Sequence, residues 1–262
     1  MKRLLTTLFL SALLLTLPAK AAVLTLDGRL LTVGSTPVYE GTTYVPLRGV
    51  LQALCPQAQI GWENGQATAR WEGNLLTARP GDSFLLYNGS KISMDRAVRL
   101  EEGRTLVPLR PLCALFDTQV DWHAGTSVAA LSSPAATYPS YREDELYWLS
   151  RIISAESQGE CWEGKIAVGN VVLNRVRSTE FPDTIYGVIF DDRWGGQFEP
   201  VRNGTVYHTP TEESVRAAVA CLNGENTVGD SLYFLAPALT DNHWTMENRD
   251  YVTTIGAHWF YR

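Results

Sequence analysis

The chain contains no Cys-x-x-Cys pair, no His-Glu-x-x-His, and no basic run beyond its first three residues. The first two absences leave zinc ribbons, thioredoxin-like redox sites and short-spaced zinc hydrolases without support. The third argues against wrapping nucleic acid or an anionic membrane. Charge points the same way. There are 22 Lys and Arg against 28 Asp and Glu, a formal net of −6. No apolar run reaches the roughly 20 residues needed to span a bilayer. What is present, 45% hydrophobic and 19% charged residues in 262, is an ordinary globular mixture with room for two small domains.

The amino terminus has three parts: the positive Lys2 and Arg3, the apolar stretch Leu4–Leu17, and Ala19-Lys20-Ala21. This pattern predicts a secretory signal peptide over 1–21, cleaved after Ala21. Export permits disulfides, so Cys55, Cys113, Cys161 and Cys221 are candidates for pairing. Pairing within each half, 55 with 113 and 161 with 221, is the expectation, although four cysteines allow three connectivities.

The first half repeats itself. Glu40-Gly41-Thr42-Thr43-Tyr44-Val45-Pro46-Leu47-Arg48 returns 62 residues later as Glu102-Gly103-Arg104-Thr105-Leu106-Val107-Pro108-Leu109-Arg110. Each copy continues into a short apolar segment and then a strand-like stretch ending in Trp62 or Trp122. Val23–Leu26, Asp27-Gly28 and Arg29–Val33 read as a strand, a tight turn and a strand. Phe84–Tyr87, Asn88-Gly89 and Ser90–Met94 repeat that reading. Each copy is therefore expected to hold β-hairpins and one short helix after the Pro-Leu-Arg. His123 is the single histidine of this region and reads as an ordinary surface residue. The duplicated pattern resembles the copper amine oxidase N-terminal-like domain, a stalk module of exported wall proteins. The resemblance covers roughly 23–132 and implies a spacer or wall-adhesion role. One histidine cannot build the copper site of the name. Ser132–Ser140, rich in Pro, Ser and Ala, reads as an interdomain linker.

Residues 141–262 carry ten basic and eighteen acidic residues, so the acidity sits here. Helical periodicity over Glu143–Ser157 puts Leu146, Leu149, Ile152 and Ile153 on one face. Glu156 falls near the middle of that stripe, in the last turn before Gly159. Apolar surroundings and the negative end of the helix both disfavour ionisation, so its pKa should be raised. A carboxylic acid protonated near neutral pH is what a glycosidase general acid requires. The alternative is a structural pairing with Arg151 or Arg175. A second helix over Trp162–Arg177 is apolar almost all round and should be buried. Thr209-Pro210-Thr211-Glu212 reads as a capping box opening a third helix that runs to Leu222. Phe181–Tyr207 reads as loop with short extended pieces. Aromatics are dense near Leu232–Phe234, Trp244 and His258–Tyr261.

The pattern Glu156-x-x-Gly159-Glu160, Gly164-x-x-Ala167-Val168, Val172-Leu173-Asn174-Arg175, Phe181-Pro182 and Gln197-Phe198 resembles the SleB-type cell wall hydrolases. Leu222-Asn223-Gly224, Leu232-Tyr233-Phe234 and Ile255-Gly256-x-His258 continue it in order, over about 143–261. That family is similar to the lysozyme-like lytic transglycosylases. The resemblance implies cleavage of the MurNAc–GlcNAc β-1,4 bonds of peptidoglycan, with Glu156 as the catalytic acid. Gln158 stands where many relatives carry Arg, so one charge contact beside the site is missing. One acid suffices if the MurNAc 6-hydroxyl attacks and a 1,6-anhydro product forms. A hydrolytic muramidase would need a second carboxylate about 5–10 Å away. Glu160 is nearest in sequence and is better read as site architecture.

The whole is expected to be α+β, in two domains. A β-rich duplicated stalk over 22–132 and a linker over 133–141 precede a mainly helical lysozyme-like catalytic domain over 142–262. Glu160, Phe198, Tyr233 and Trp244 are the expected substrate-binding residues. No metal or other cofactor is expected, and peptidoglycan is the expected partner of a secreted, wall- or spore-associated monomer without stable membrane insertion. Two other chemistries compete: Cys161 as a nucleophile with His243 or His258 against wall peptides, and zinc held by His208, His243 and His258. A non-catalytic wall-binding adaptor is the third alternative.

Overall fold

The structure is a computed structural model and describes residues 20–136, 141–193, 196–240 and 244–262. The predicted leader up to residue 19, residues 137–140 of the expected linker, and His243 lie outside the described residues. None of the described helices is long and apolar enough to cross a membrane.

The first half is β-rich. Its strands are β1 (Lys20–Ala21), β2 (Val23–Leu26), β3 (Arg29–Leu30), β4 (Pro37–Tyr39), β5 (Thr42–Pro46), β6 (Gln59–Glu63) and β7 (Gln66–Trp71). They continue as β8 (Asn74–Ala78), β9 (Phe84–Tyr87), β10 (Ser90–Ser93), β11 (Arg99–Glu101), β12 (Arg104–Pro108), β13 (Gln119–His123) and β14 (Val128–Ser132). Two short helices, α1 (Leu47–Leu54) and α2 (Leu109–Ala114), each start on the Leu that follows a buried Val-Pro. The expected Asp27-Gly28 and Asn88-Gly89 turns are present. Both residues of each have positive φ, which two-residue hairpins require and Asp, Asn and Gly tolerate.

The two copies are not separate units. β5 pairs antiparallel with β12 so that Val45 faces Val107, its own repeat equivalent. A residue paired antiparallel with its counterpart lies on a local two-fold axis. The sheet order β1-β4-β5-β12-β11 follows from that dyad, and each copy completes the other. Strand β2 then pairs in parallel with β14, clasping the start of this half to its end. β1 is two residues at a sheet edge, so cleavage after Ala21 would remove one marginal pairing.

The second half is built on α3 (Glu143–Ser157), α4 (Trp162–Arg177), α5 (Ile185–Ile189), α6 (Glu199–Asn203), α7 (Glu212–Leu222) and α8 (Trp244–Asn248). A three-stranded sheet of β15 (Tyr233–Leu235), β16 (Tyr251–Ile255) and β17 (His258–Tyr261), in the order β15-β17-β16, covers one side. The first two helices have the expected limits. The third starts later than expected, with Thr211 rather than Thr209 as its cap. The Thr211 hydroxyl accepts from Ser214 N, and the Thr211 N–H is taken by Ser154 Oγ of α3. The Phe181–Tyr207 stretch, expected to hold extended pieces, folds instead into α5, α6 and a 3₁₀ turn over Thr205–Tyr207. Helices α3, α4 and α7 meet at Gly169, where a Cβ would lie 2.7 Å from Cys221 Sγ and 2.8 Å from Ile153 Cδ1.

The halves share a core rather than hanging on a free tether. Val23 and Val128 sit in the same apolar cluster as Leu146, Leu149 and Val219. Gly28 O accepts from both Tyr141 Oη and Asn223 Nδ2, each at 3.0 Å. His123, expected on the open surface, lies partly buried at this junction with Nδ1 3.1 Å from Glu143 Oε1.

All four cysteines are free thiols, against the expected pairs. Cys161 precedes the first residue of α4, whereas Cys221 packs beside Gly169 with its thiol on Ile166 O. Eight residues of helix separate those levels by about 12 Å, beyond the roughly 4.4–6.8 Å between Cα atoms that a disulfide spans. Burial pushes the Cys113 and Cys221 thiols up to about 12, so neither forms thiolate readily. A maleimide should therefore add once to the native protein, at exposed Cys161, and four times after unfolding. Intact-mass measurement before and after denaturant checks this.

Candidate active site

Helix α3 ends where its apolar face meets solvent. Ser157 closes the last turn by donating to Ile153 O at 2.6 Å, and Glu160 N returns to Ser157 O. The fully buried Lys165 donates to Glu160 O and lies 3.0 Å from Glu213 Oε2, tying this turn to α4 and α7. Glu156 is thereby held on a rigid element, partly buried, at the edge of a cavity of about 410 Å³. Arg151, Gln158, Glu199, Asn203, Thr205 and His208 are among the other lining residues.

The carboxyl of Glu156 is pushed up to about 7. Burial is the main cause, the nearby Glu199 carboxylate adds to it, and Arg175 opposes it. Among the described residues Glu156 forms no ion pair. The two arginines that might have neutralised it are occupied elsewhere. Arg151 donates to Tyr147 O and stacks 3.6 Å over the Tyr147 ring. Arg175 donates from Nε to Leu232 O at 2.7 Å and is walled by Phe181, Phe198 and Tyr233. Its own pKa is depressed to about 10, chiefly by burial. Arg175 Nη1 is buried without a hydrogen-bond partner. A buried cation near, but not on, the carboxyl moderates the acid without neutralising it.

The other expected site residues separate. Glu160 turns away from the cavity: its Oε2 accepts Ala257 N at 3.1 Å and its Oε1 lies 3.9 Å from His258 Nδ1. It fastens the β16–β17 turn to the α3–α4 turn, so it is a structural latch and lines no part of the cavity. The close fit at that turn leaves no room for a side chain at Gly256, whose Cβ would collide with Glu160 Oε2. Phe198 is 2% exposed and packs between Arg175 and Phe234, which leaves no face for a sugar. Tyr233 and Trp244 do come together at Arg249, their ring centres 4.4 and 5.3 Å from its guanidinium carbon. Trp244 is half exposed.

A second aromatic group went unread in the sequence. Trp148, Tyr186, Phe190 and Tyr207 form a cluster, with Tyr186 stacked on Phe190 at 4.5 Å and Trp148 edge-on to both. Tyr186 and Tyr207 are exposed, and Tyr207 lies between two residues that line the Glu156 cavity, Thr205 and His208. Its members come from α3, α5 and the 3₁₀ turn, so no local pattern joins them. Glu199 was missed because the stretch before α6 reads as loop. Its carboxylate is paired with Arg202.

The residues of the competing chemistries are scattered. Among the described residues the Cys161 thiol has no histidine hydrogen-bond partner. His258 is buried under the hairpin beside Phe234, while His208 lines the Glu156 cavity. No group of three His, Cys, Asp or Glu side chains among the described residues could hold a metal ion.

The sequence pattern described as Cell Wall Hydrolase matches residues 159–261, and that described as Copper amine oxidase N-terminal domain matches 25–131. The cell wall hydrolase CwlJ of Oceanobacillus iheyensis is 30% identical over 103 residues, 37% of this chain and 72% of that protein. The chain belongs to the cell wall hydrolase family. Glu156 lies just ahead of the family segment. The spore cortex-lytic enzyme of Bacillus cereus is 35% identical over 120 residues, 46% of this chain and 45% of that enzyme. The chain thus spans under half the length of that family member. The catalytic domain of the germination-specific lytic transglycosylase SleB from Bacillus anthracis is 34% identical, over 47% of this chain and 97% of that one, with a TM-score of 0.43.

Proposed function

We propose that this chain cleaves the glycan strands of peptidoglycan at MurNAc–GlcNAc β-1,4 bonds, as a lytic transglycosylase. Residues 142–262 carry the chemistry and 22–132 serve as the stalk. It works without a cofactor, as a monomer at the cell wall or spore, once the leader over 1–21 is removed. The observation that carries this reading is Glu156, a carboxyl with no ion-pair partner among the described residues, a pKa of about 7 and an opening on a cavity, in a cell wall hydrolase.

Glu156 begins protonated and gives its proton to the glycosidic oxygen as the C1–O bond of MurNAc breaks. Positive charge develops at C1, and the carboxylate just formed stabilises it. The 6-hydroxyl of the same sugar then attacks C1 while Glu156 takes back the hydroxyl proton. A 1,6-anhydro end results, and the acid is regenerated without water. Arg175 suits this cycle: its charge keeps the transient carboxylate tolerable in a buried site.

Glu199 supports a second reading. It lines the same cavity, and an inverting hydrolase uses a second carboxylate to activate water. Its carboxylate is already engaged by Arg202, which leaves it less free to hold a water and favours the transglycosylase. Mass spectrometry of digested peptidoglycan separates the two. Release of 1,6-anhydro muropeptides is the expected result. Reducing-end MurNAc, lost in Glu199→Gln, would replace this mechanism with hydrolysis.

A further inference from the structure

A cavity of about 670 Å³ lies in the duplicated half and shares no lining residue with the Glu156 cavity. Arg48, Ile60, Trp62, Leu100 and Gly103 help to line it. A second of about 510 Å³ is lined by Arg110, Val120, Trp122, Val38 and Gly41. These are the same positions seen through the dyad. Arg48 and Arg110, Leu100 and Val38, and Gly103 and Gly41 are each 62 apart, while the two Trp stand 60 apart. Each groove takes its Arg and Trp from one copy and its rim from the other, so neither exists until the copies interlock. Both volumes fall within the roughly 300–1,000 Å³ usual for ligand sites.

Core packing explains the buried Val-Pro-Leu of the repeat but not its exposed part. Trp62 and Trp122 remain 51% and 39% exposed. Arg48 and Arg110 are held in matching fashion, each donating to the backbone carbonyl two residues before its Trp: Ile60 O at 3.0 Å and Val120 O at 2.7 Å. Among the described residues neither arginine forms an ion pair with a carboxylate, so each is free to meet one from a ligand. An oriented guanidinium beside an open indole face suits a ligand with flat apolar faces and negative substituents.

We propose that the two grooves are equivalent binding sites for the glycan strand of peptidoglycan. A pyranose ring stacks on Trp62 or Trp122, and a carboxylate of the strand's muramyl or peptide substituents meets Arg48 or Arg110. The choice of occupant rests on the function proposed above. Two sites on one rigid body would bind a polymeric wall bivalently, and avidity of this kind adds about 10²–10⁴ to a single weak contact. The stalk then holds the wall while the helical half cuts it.

The test is co-sedimentation of the full chain, as Glu156→Gln, with purified sacculi stripped of secondary wall polymers. Trp62→Ala and Trp122→Ala are each expected to weaken binding about tenfold, and the double variant about a hundredfold, with the thermal midpoint unchanged because both rings are exposed. If the double variant unfolds, Arg48→Glu with Arg110→Glu takes its place, with the same loss expected. Undiminished binding by the folded double variant overturns the proposal. So does binding that vanishes when secondary polymers are stripped. Digestion by the native chain is scored in parallel. Cleavage with groove-independent binding refutes the grooves and leaves the catalytic reading standing. Groove-dependent binding without cleavage upholds the grooves and refutes that reading.

Discussion

Glu156→Gln will lower glycan cleavage by about 10³-fold or more while the protein stays folded. Gln keeps the size of the side chain but can neither give nor take the proton. With the native acid, kcat/KM should be flat below about pH 7 and fall about tenfold per pH unit above it, as the protonated fraction falls. The same residue leaves a mark on stability. Its folded pKa of about 7 lies above the ordinary carboxyl value of 4.5, so the native state holds a proton that the unfolded chain releases. Stability must then decline as pH rises from about 4.5 to 7, by on the order of 1–3 kcal/mol from this group. Glu156→Gln removes that decline and should be no less stable than the native chain at pH 7. Chemical denaturation at pH 5 and 7, beside muropeptide release, checks both. Lost cleavage together with lost folding would leave the catalytic role without support.

Gly169→Val should cost about 2–3 kcal/mol and lower the melting temperature by roughly 5–10 °C. Three helices touch at this position, and the added atoms would enter space held by Cys221 Sγ and the end of Ile153. Greater helix propensity returns less than about 1 kcal/mol, so overpacking decides the sign. Gly169→Ala adds one carbon, and there the two effects nearly cancel. Ile153 is also one turn from Glu156, so spreading the helices at Gly169 moves the acid. Calorimetry combined with cleavage assays should show activity falling further than stability alone explains. A Gly169→Val protein that melts with the native chain would mean that the contact yields freely.

Much of this fold could be read in the chain. Helices α3 and α4 have the limits their periodicity implies, because a continuous apolar face and Gly159 leave little choice. The turns at Asp27-Gly28 and Asn88-Gly89 were legible for a local reason, since few residues accept two successive positive φ values. The start of α7 was not, because Ser154 of another helix decides which threonine caps it. The repeat was plain, but its interlocking is a matter of partner choice between strands, which the repeat alone leaves open. The site divides similarly. Glu156 stood out because a carboxylate on an apolar stripe is an anomaly in one dimension. Phe198 and the cluster around Trp148 are aromatics of the same chemistry, and only tertiary packing determines which faces remain open.

The clasp between β2 and β14 also imposes an order in time. Its strands are about a hundred residues apart in the chain, whereas the pairings of β6 through β10 join immediate neighbours. Closing so long a loop costs entropy that no local contact returns beforehand, so high-separation pairings tend to form late. The meander and the trio of helices can assemble from near neighbours. The dyad requires both copies, and the clasp requires everything up to Leu131. Because Val23 and Val128 also complete the apolar core beneath α3 and α7, the late step that shuts the β-rich half is the one that seals the helical half. A chain threaded out of a cell from its amino end would carry β2 with only the short β3 beside it until β14 followed, and its other edge would be open for that whole interval.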